Sequence, residues 1–246
     1  ADVEFDGDRL LAACGPAGLL SMSMDGTVRV LLDGAVHAPR SVAVLHGQVY
    51  VVADGYLGLL GPEGLQGSVE VPGGQVWDLV ATGDHLVASS RRHEFAAAYV
   101  FTADLEPVAS TTPTDATYRL AAISGGVVVS SHLGILRRLD VAKGTFEEVP
   151  VSTTETVIAV AVSPDERRLA VGRHDGTVEV FDLVKGQTIH TLPTYPRPVV
   201  DLVWSAAGPV FLTGGGVVET LDPDRHWPQA VVWTDGEPQA PLPRHH

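Results

Sequence analysis

Cysteine is almost missing from this 246-residue chain: the single Cys14 excludes an internal disulfide, and so low a count excludes a zinc ribbon. Cations are scarce too. The 16 Lys and Arg are set against 30 Asp and Glu, a formal net charge of −14. That balance argues against a protein that neutralises phosphate backbones, because counterion release needs clustered positive charge, and no nucleic-acid partner is expected. Signals for helix are nearly absent, since 26 Gly and 17 Pro interrupt the chain too often for a long one. Long apolar runs are absent as well. The stretch 156–162 falls far short of the roughly 20 residues that a membrane helix needs, so no membrane partner is expected and the cytoplasm is the default compartment. The chain opens at Ala1, already within what reads as a strand, which leaves room for an upstream segment or a removed signal.

What is present is apolar residue in quantity, 45% of the chain against 19% charged, enough for a real core and too much for a disordered segment. It is arranged in repeats. Short polar turns, each between two Val/Ala/Leu-rich runs, centre on Asp6-Gly7, His46-Gly47, Thr82-Gly83, Ser124-Gly125, Ser163-Pro164 and Ser205-Ala206. Their spacings are 40, 36, 42, 39 and 42 residues. A period near forty with four short strands per unit is the signature of a propeller blade. The expected fold is therefore all-β: one six-bladed propeller of four-stranded antiparallel blades over residues 1–238, from a strand near 2–5 to one near 230–234. Residues 239–246 form a Pro-rich tail, or a tag remnant. A seventh blade would need about 40 further residues.

Two local patterns agree with this. First strands such as 157–162 and 199–204 are nearly continuous apolar runs, which marks burial on both faces rather than one. The second strands and their following turns align as 11–18, 51–58, 127–134 and 169–176, closing on Gly18, Gly58, Gly134 and Gly176, as a hairpin requiring positive φ would demand.

In unit five, Ser163-Pro164-Asp165, then Leu169-Ala170-Val171-Gly172, then the run from Asp175-Gly176 to Phe181-Asp182 resembles one blade of the WD-repeat and YVTN-type propellers. Phe181-Asp182 stands where the Trp-Asp pair would be, and Leu139-Asp140 and Leu221-Asp222 echo it in two other units. The Gly-His dipeptide of WD repeats is missing throughout, and Trp77-Asp78 lies in a first strand, away from the motif's place. The resemblance implies a top face that binds partners or ligands, and no particular chemistry.

On that face the resemblance places the turn after each second strand and the linker into each first strand. The turns supply Tyr56, His93, His132 and His174. The linkers supply His37 and Arg40, Tyr118 and Arg119, Glu155, and Tyr195 and Arg197. Arg40, Trp77, Asp78, Tyr118, Arg119, Tyr195, Arg197 and Asp201 form the candidate ligand-binding set, suited to an anionic or polar ligand or an acidic peptide. Three imidazoles around an opening could exchange protons near neutrality, which makes His93, His132 and His174, with Tyr56, the candidate catalytic groups. No close-spaced ligand pattern accompanies them, so neither a metal nor a cofactor is expected.

Asp2, Asp78 and Asp201 align at one position of their first strands. A carboxylate in an apolar strand must be hydrogen-bonded or face an opening. Two readings follow: a ring of carboxylates lining a pore, or acceptors that fix one blade on the next, the second being favoured. Functionally, the expectation is a monomeric binding module whose top face takes a protein or peptide. The alternatives are a small propeller enzyme of the lyase, lactonase or isomerase kind acting on a small polar substrate, and a recruiting domain of a longer chain.

Overall fold

The computed structural model describes residues 2–35, 37–90, 97–110, 117–131, 134–149, 156–191, 198–205, 208–213, 229–234 and 237–238; the side chains of 117, 118, 200 and everything from 205 onward lie outside that description. Apart from a single 3-10 turn at Gly15–Ala17, the regular structure among these residues is β. No helix among them is long and apolar enough to cross a membrane.

The strands form consecutive antiparallel sheets, each built from neighbours in sequence. The first sheet holds β1 (Asp2–Asp6), β2 (Arg9–Ala13), β3 (Leu19–Ser23) and β4 (Val28–Leu32), and the second β5 (Pro39–Leu45), β6 (Gln48–Ala53), β7 (Tyr56–Gly61) and β8 (Gly64–Glu70). The third holds β9 (Val76–Thr82), β10 (His85–Ser90), β11 (Ala98–Thr102) and β12 (Pro107–Ser110), and the fourth β13 (Thr117–Ile123), β14 (Gly126–Ser131), β15 (Leu136–Asp140) and β16 (Thr145–Glu148). The fifth holds β17 (Val157–Val162), β18 (Arg168–Arg173), β19 (Val178–Asp182) and β20 (Gln187–Thr191). A sixth is described in part: β21 (Val199–Ser205), β22 (Gly208–Thr213), β23 (Gln229–Thr234) and the two-residue β24 (Glu237–Pro238), which follows the strand expected to be last. The tail 239–246 lies outside the described residues.

By its internal contacts the chain divides into two compact units, Ala1–Val127 with Leu139–Phe146, and Val128–Arg138 with Glu147–His246. In the first unit the core lies between successive sheets. Leu11, Ala13 and Leu19 of the first sheet meet Val42, Val49 and Val51 of the second. The alternate side chains of the second sheet, Ala43, Leu45, Tyr50 and Val52, meet Leu79, Leu86, Ala88 and Phe101 of the third. Both faces of β5 and β6 are thereby buried, which is why those strands read as unbroken apolar runs. In the second unit Ala159, Ala161, Ala170 and Val178 receive Val199 and Leu202 in the same way.

The hairpins obey the turn chemistry with one shift. His46-Gly47 and Asp54-Gly55 carry positive φ at both positions (52° and 72°, 52° and 85°), as two-residue type I′ turns require. The closing glycine of that second turn is Gly55; Gly58, expected in the turn, sits inside β7 opposite Val51. Unit two has a two-residue turn where its neighbours have longer ones, so counting back to a glycine lands three residues too far along.

Candidate functional site

The first strands of the sheets repeat one irregularity. In β5 the pairing runs Pro39 to Ala53, then Ser41 to Val52, leaving Arg40 as the extra residue of a bulge. In β9 it runs Val76 to Ser90, then Asp78 to Ser89, leaving Trp77. A bulge re-aims the side chain it carries. Arg40 is exposed and Trp77 half-buried.

Antiparallel pairing puts the start of β5, the β6–β7 turn and the end of β8 at one end of the second sheet. The linkers close over that end. His37 Nδ1 lies 3.5 Å from Asp54 Oδ2, tying the linker 33–38 to the turn. Val71 N–H donates to the Gly55 carbonyl at 3.0 Å, and a Cβ on Gly55 would stand 2.6 Å from the Gly74 carbonyl oxygen. Tyr56 opens β7 just beyond the turn and is exposed. His37, Arg40, Tyr56 and Trp77 therefore gather at the linker end of the second and third sheets.

Beneath this end runs a ladder of side-chain acceptors. Asp2 Oδ2 accepts from Val42 N–H at 3.1 Å, Ser41 Oγ from Leu79 N–H at 3.0 Å, and Asp78 Oδ2 from Leu120 N–H at 2.9 Å. The first strands of the first three sheets thus each hold the backbone of the next, and the Ser41 hydroxyl in turn donates to Asp2 Oδ2. Asp78 is only 6% exposed, with Arg119 Nη1 4.0 Å from its Oδ1. Burial pushes its carboxyl up to about 7; Arg119 opposes that, Asp2 adds to it, and the Leu120 and Leu79 N–H groups pull the other way. Of the two readings of these aligned aspartates, Asp2 and Asp78 take the second, as acceptors between sheets. Ser41 is the member that sequence reasoning missed. Its signal was its place: Ser41-Val42 stands where Asp2-Val3, Asp78-Leu79 and Asp201-Leu202 stand.

In the second unit, His174 is exposed in the β18–β19 turn, its N–H donating to the Thr156 carbonyl at 3.1 Å. Below it the nearly buried Arg173 is paired with Glu179 across the hairpin. Asp201 is half-buried and accepts from Leu202 N–H at 2.9 Å. His93, His132, Glu155, Tyr195 and Arg197 lie outside the described residues, as does the side chain of Tyr118. Of the three candidate histidines, His174 is the one that lies among the described residues. Among the described residues no three His, Cys, Asp or Glu side chains assemble as a metal site would require.

The unit-five motif closes as its residues suggested. Ser163 N–H donates to the Arg168 carbonyl while Ser163 Oγ accepts from Arg168 N–H at 2.9 Å and donates to Asp165 at 2.6 Å. Gly172 lies where a Cβ would fall 2.5 Å from Val199 Cγ1 of the next sheet.

Comparison with known proteins agrees with this geometry. Residues 129–207 match the family model described as the anaphase-promoting complex subunit 4 WD40 domain. A stretch of 64 residues, 26% of this chain, is 41% identical to the WD repeat-containing protein VIP3 of Arabidopsis thaliana, and spans only 20% of that protein's length. Among solved structures, the WD40 β-propeller domain of Doa1 superposes with a TM-score of 0.71 at 14% identity, over 85% of this chain and 74% of that one. Repeat sequence, strand order and superposition converge on the fold: the chain is a β-propeller of four-stranded antiparallel blades, and residues 129–207 are similar to a WD40 domain.

Proposed function

We propose that the protein is a binding module that presents the linker end of its second and third blades, with Arg40, Tyr56 and Trp77, to a protein or peptide partner. WD-repeat propellers serve in general as platforms for protein interaction, which supports the module reading at the level of the fold. The observation that carries the choice of surface is the repeated bulge, which brings a guanidinium and an indole to the same edge, next to an exposed tyrosine. Trp, Tyr and Arg are the residues that most often dominate binding energy at interfaces. A backbone stapled by His37–Asp54 and by the Gly55 carbonyl keeps that edge preorganised, so little ordering cost would fall on association.

The test replaces Arg40→Glu together with Tyr56→Ser in the full chain, and measures how much partner co-purifies from the native host. Both positions are exposed, so unfolding stability should change by no more than about 0.5 kcal/mol each. Partner recovery should fall at least tenfold, equivalent to about 1.4 kcal/mol. Undiminished recovery by a folded double variant moves the interface away from this end.

A further inference from the structure

Side chains from three neighbouring first strands meet at one point of the first unit. Asp2 comes from β1, Ser41 from β5 and Asp78 from β9, with Arg119 of β13 beside them. Ser41 is fully buried and Asp78 nearly so, while Asp2 is half-buried. The hydrogens available there can be counted. A hydroxyl has one hydrogen to give and two lone pairs. Ser41 Oγ lies 2.5 Å from Asp2 Oδ2, and 3.5 Å from both Asp78 Oδ1 and the Leu79 carbonyl oxygen. Its hydrogen therefore goes to Asp2, at the length of a bond to an ionised carboxylate. One lone pair receives the Leu79 N–H at 3.0 Å. The other remains for Asp78 Oδ1.

An ionised Asp78 would set acceptor against acceptor across that gap, whereas a proton on Oδ1 makes the same approach donor to acceptor. Charge points the same way. Among the described residues, β1 brings the Asp2 carboxylate and β13 the Arg119 guanidinium towards Asp78. Opposite it on β10 stands the uncharged Ser89, and Arg40 of β5 is exposed at its bulge. With a proton on Asp78, the charges of Asp2 and Arg119 balance. Without it the buried cluster holds an excess negative charge, which burial disfavours.

We propose that Asp2, Ser41 and Asp78 form a proton switch across the first three blades. With Asp78 protonated, its proton points to Ser41 Oγ and the Ser41 hydrogen to Asp2. When Asp78 gives its proton up to solvent, the Ser41 hydroxyl turns over and donates to Asp78 instead. The buried carboxylate wins that hydrogen because a buried acceptor left unpaired is costly, whereas water can reach the half-buried Asp2 in its place. Arg40 and Trp77 stand one residue before Ser41 and Asp78, so the switch lies directly under the edge proposed to bind and makes it sensitive to pH near neutrality. The switch is read on the ladder's own atoms, and its test needs no partner.

The experiment follows carboxyl-carbon and amide-proton NMR shifts of the isotope-labelled full chain across the neutral range. The Asp78 carboxyl should titrate with a midpoint at about 7. The Leu120 amide proton should move downfield with the same midpoint, because its acceptor Asp78 Oδ2 gains charge. The Val42 amide proton should move downfield with it, although it belongs to another blade, because Asp2 Oδ2 accepts more from Val42 once the Ser41 hydrogen has left. In Ser41→Ala the Leu79 N–H keeps Asp78 Oδ1 as an acceptor at 3.1 Å, so the fold should persist. There the Leu120 response should remain and the Val42 response should vanish. Asp78→Asn should abolish both. An Asp78 carboxyl that does not titrate in the neutral range overturns the proposal. So does a Val42 amide that stays still in the unsubstituted protein, or one that still responds in Ser41→Ala, which would mark a through-space effect of charge rather than a turned hydroxyl.

Discussion

Replacing Asp78→Asn should flatten the pH dependence of stability between about pH 4 and pH 7. In the unfolded chain this carboxyl titrates near 3.9, whereas in the fold burial raises it from 3.8 to about 7. Across that interval the folded protein holds a proton that the unfolded chain has released. The stabilisation is complete below the unfolded value and is lost as pH rises towards 7, at no more than about 1.4 kcal/mol per pH unit, with a ceiling of about 4 kcal/mol. Asp140, Asp165 and Asp182 act in the opposite sense. The N–H and side-chain donors of their own turns lower these carboxyls, so their contribution is present above the ordinary carboxylate range and fades on acidification. The unsubstituted protein should accordingly be most stable in mildly acidic solution, and urea unfolding at pH 5 and pH 8 should show the difference. The amide of the Asp78→Asn variant cannot ionise, and the gap between the two pH values should fall by more than half. An unchanged gap would mean that Asp78 is ionised throughout and that its site is wetter than 6% exposure implies. Asp78→Ala is the harsher change. It strands the buried Leu120 N–H and should cost about 1–3 kcal/mol.

How much of this was legible in sequence depends on the scale of the feature. The forty-residue period and the doubly apolar first strands follow from the burial of each blade between neighbours, and that constraint is written on every unit. The ladder was half legible. Aspartates in apolar strands such as Asp2 and Asp78 stand out, because an unpaired carboxylate there is costly, but Ser41 carries no such alarm. The bulges at Arg40 and Trp77 leave no local mark, because they arise from the fit of one strand on its partner and any side chain can occupy the extra position.

Glycines give the sharpest contrast between pattern and place, and Gly18→Ala should be far more damaging than Gly58→Ala. By the repeat pattern alone the two are equivalent closing glycines. In the fold, Gly18 has φ 91° and ψ −168°, a conformation that side chains other than glycine rarely adopt. A Cβ there would stand 2.2 Å from the Leu32 carbonyl oxygen and 2.9 Å from the Gly34 nitrogen. Both are backbone atoms at the exit of β4, and Gly34 in turn comes so close that its own Cβ would lie 2.3 Å from the Gly18 nitrogen. Two backbone segments touch at this point, and neither can swing aside as a side chain would. Strain and displacement together should cost about 3 kcal/mol or more. Gly58 lies within β7 without positive φ; its Cβ would meet Leu65 Cδ2 at 3.0 Å and the Gly67 carbonyl oxygen at 3.1 Å. A leucine tip can rotate away, and alanine also restricts the unfolded chain, so the net effect should stay within about 1 kcal/mol. Urea unfolding of both variants at one pH measures the difference directly. If Gly58→Ala were the more destabilising, the hairpin of unit two would close on Gly58 after all, and the pairing of Ala53 with Tyr56 across Asp54-Gly55 would have to be abandoned.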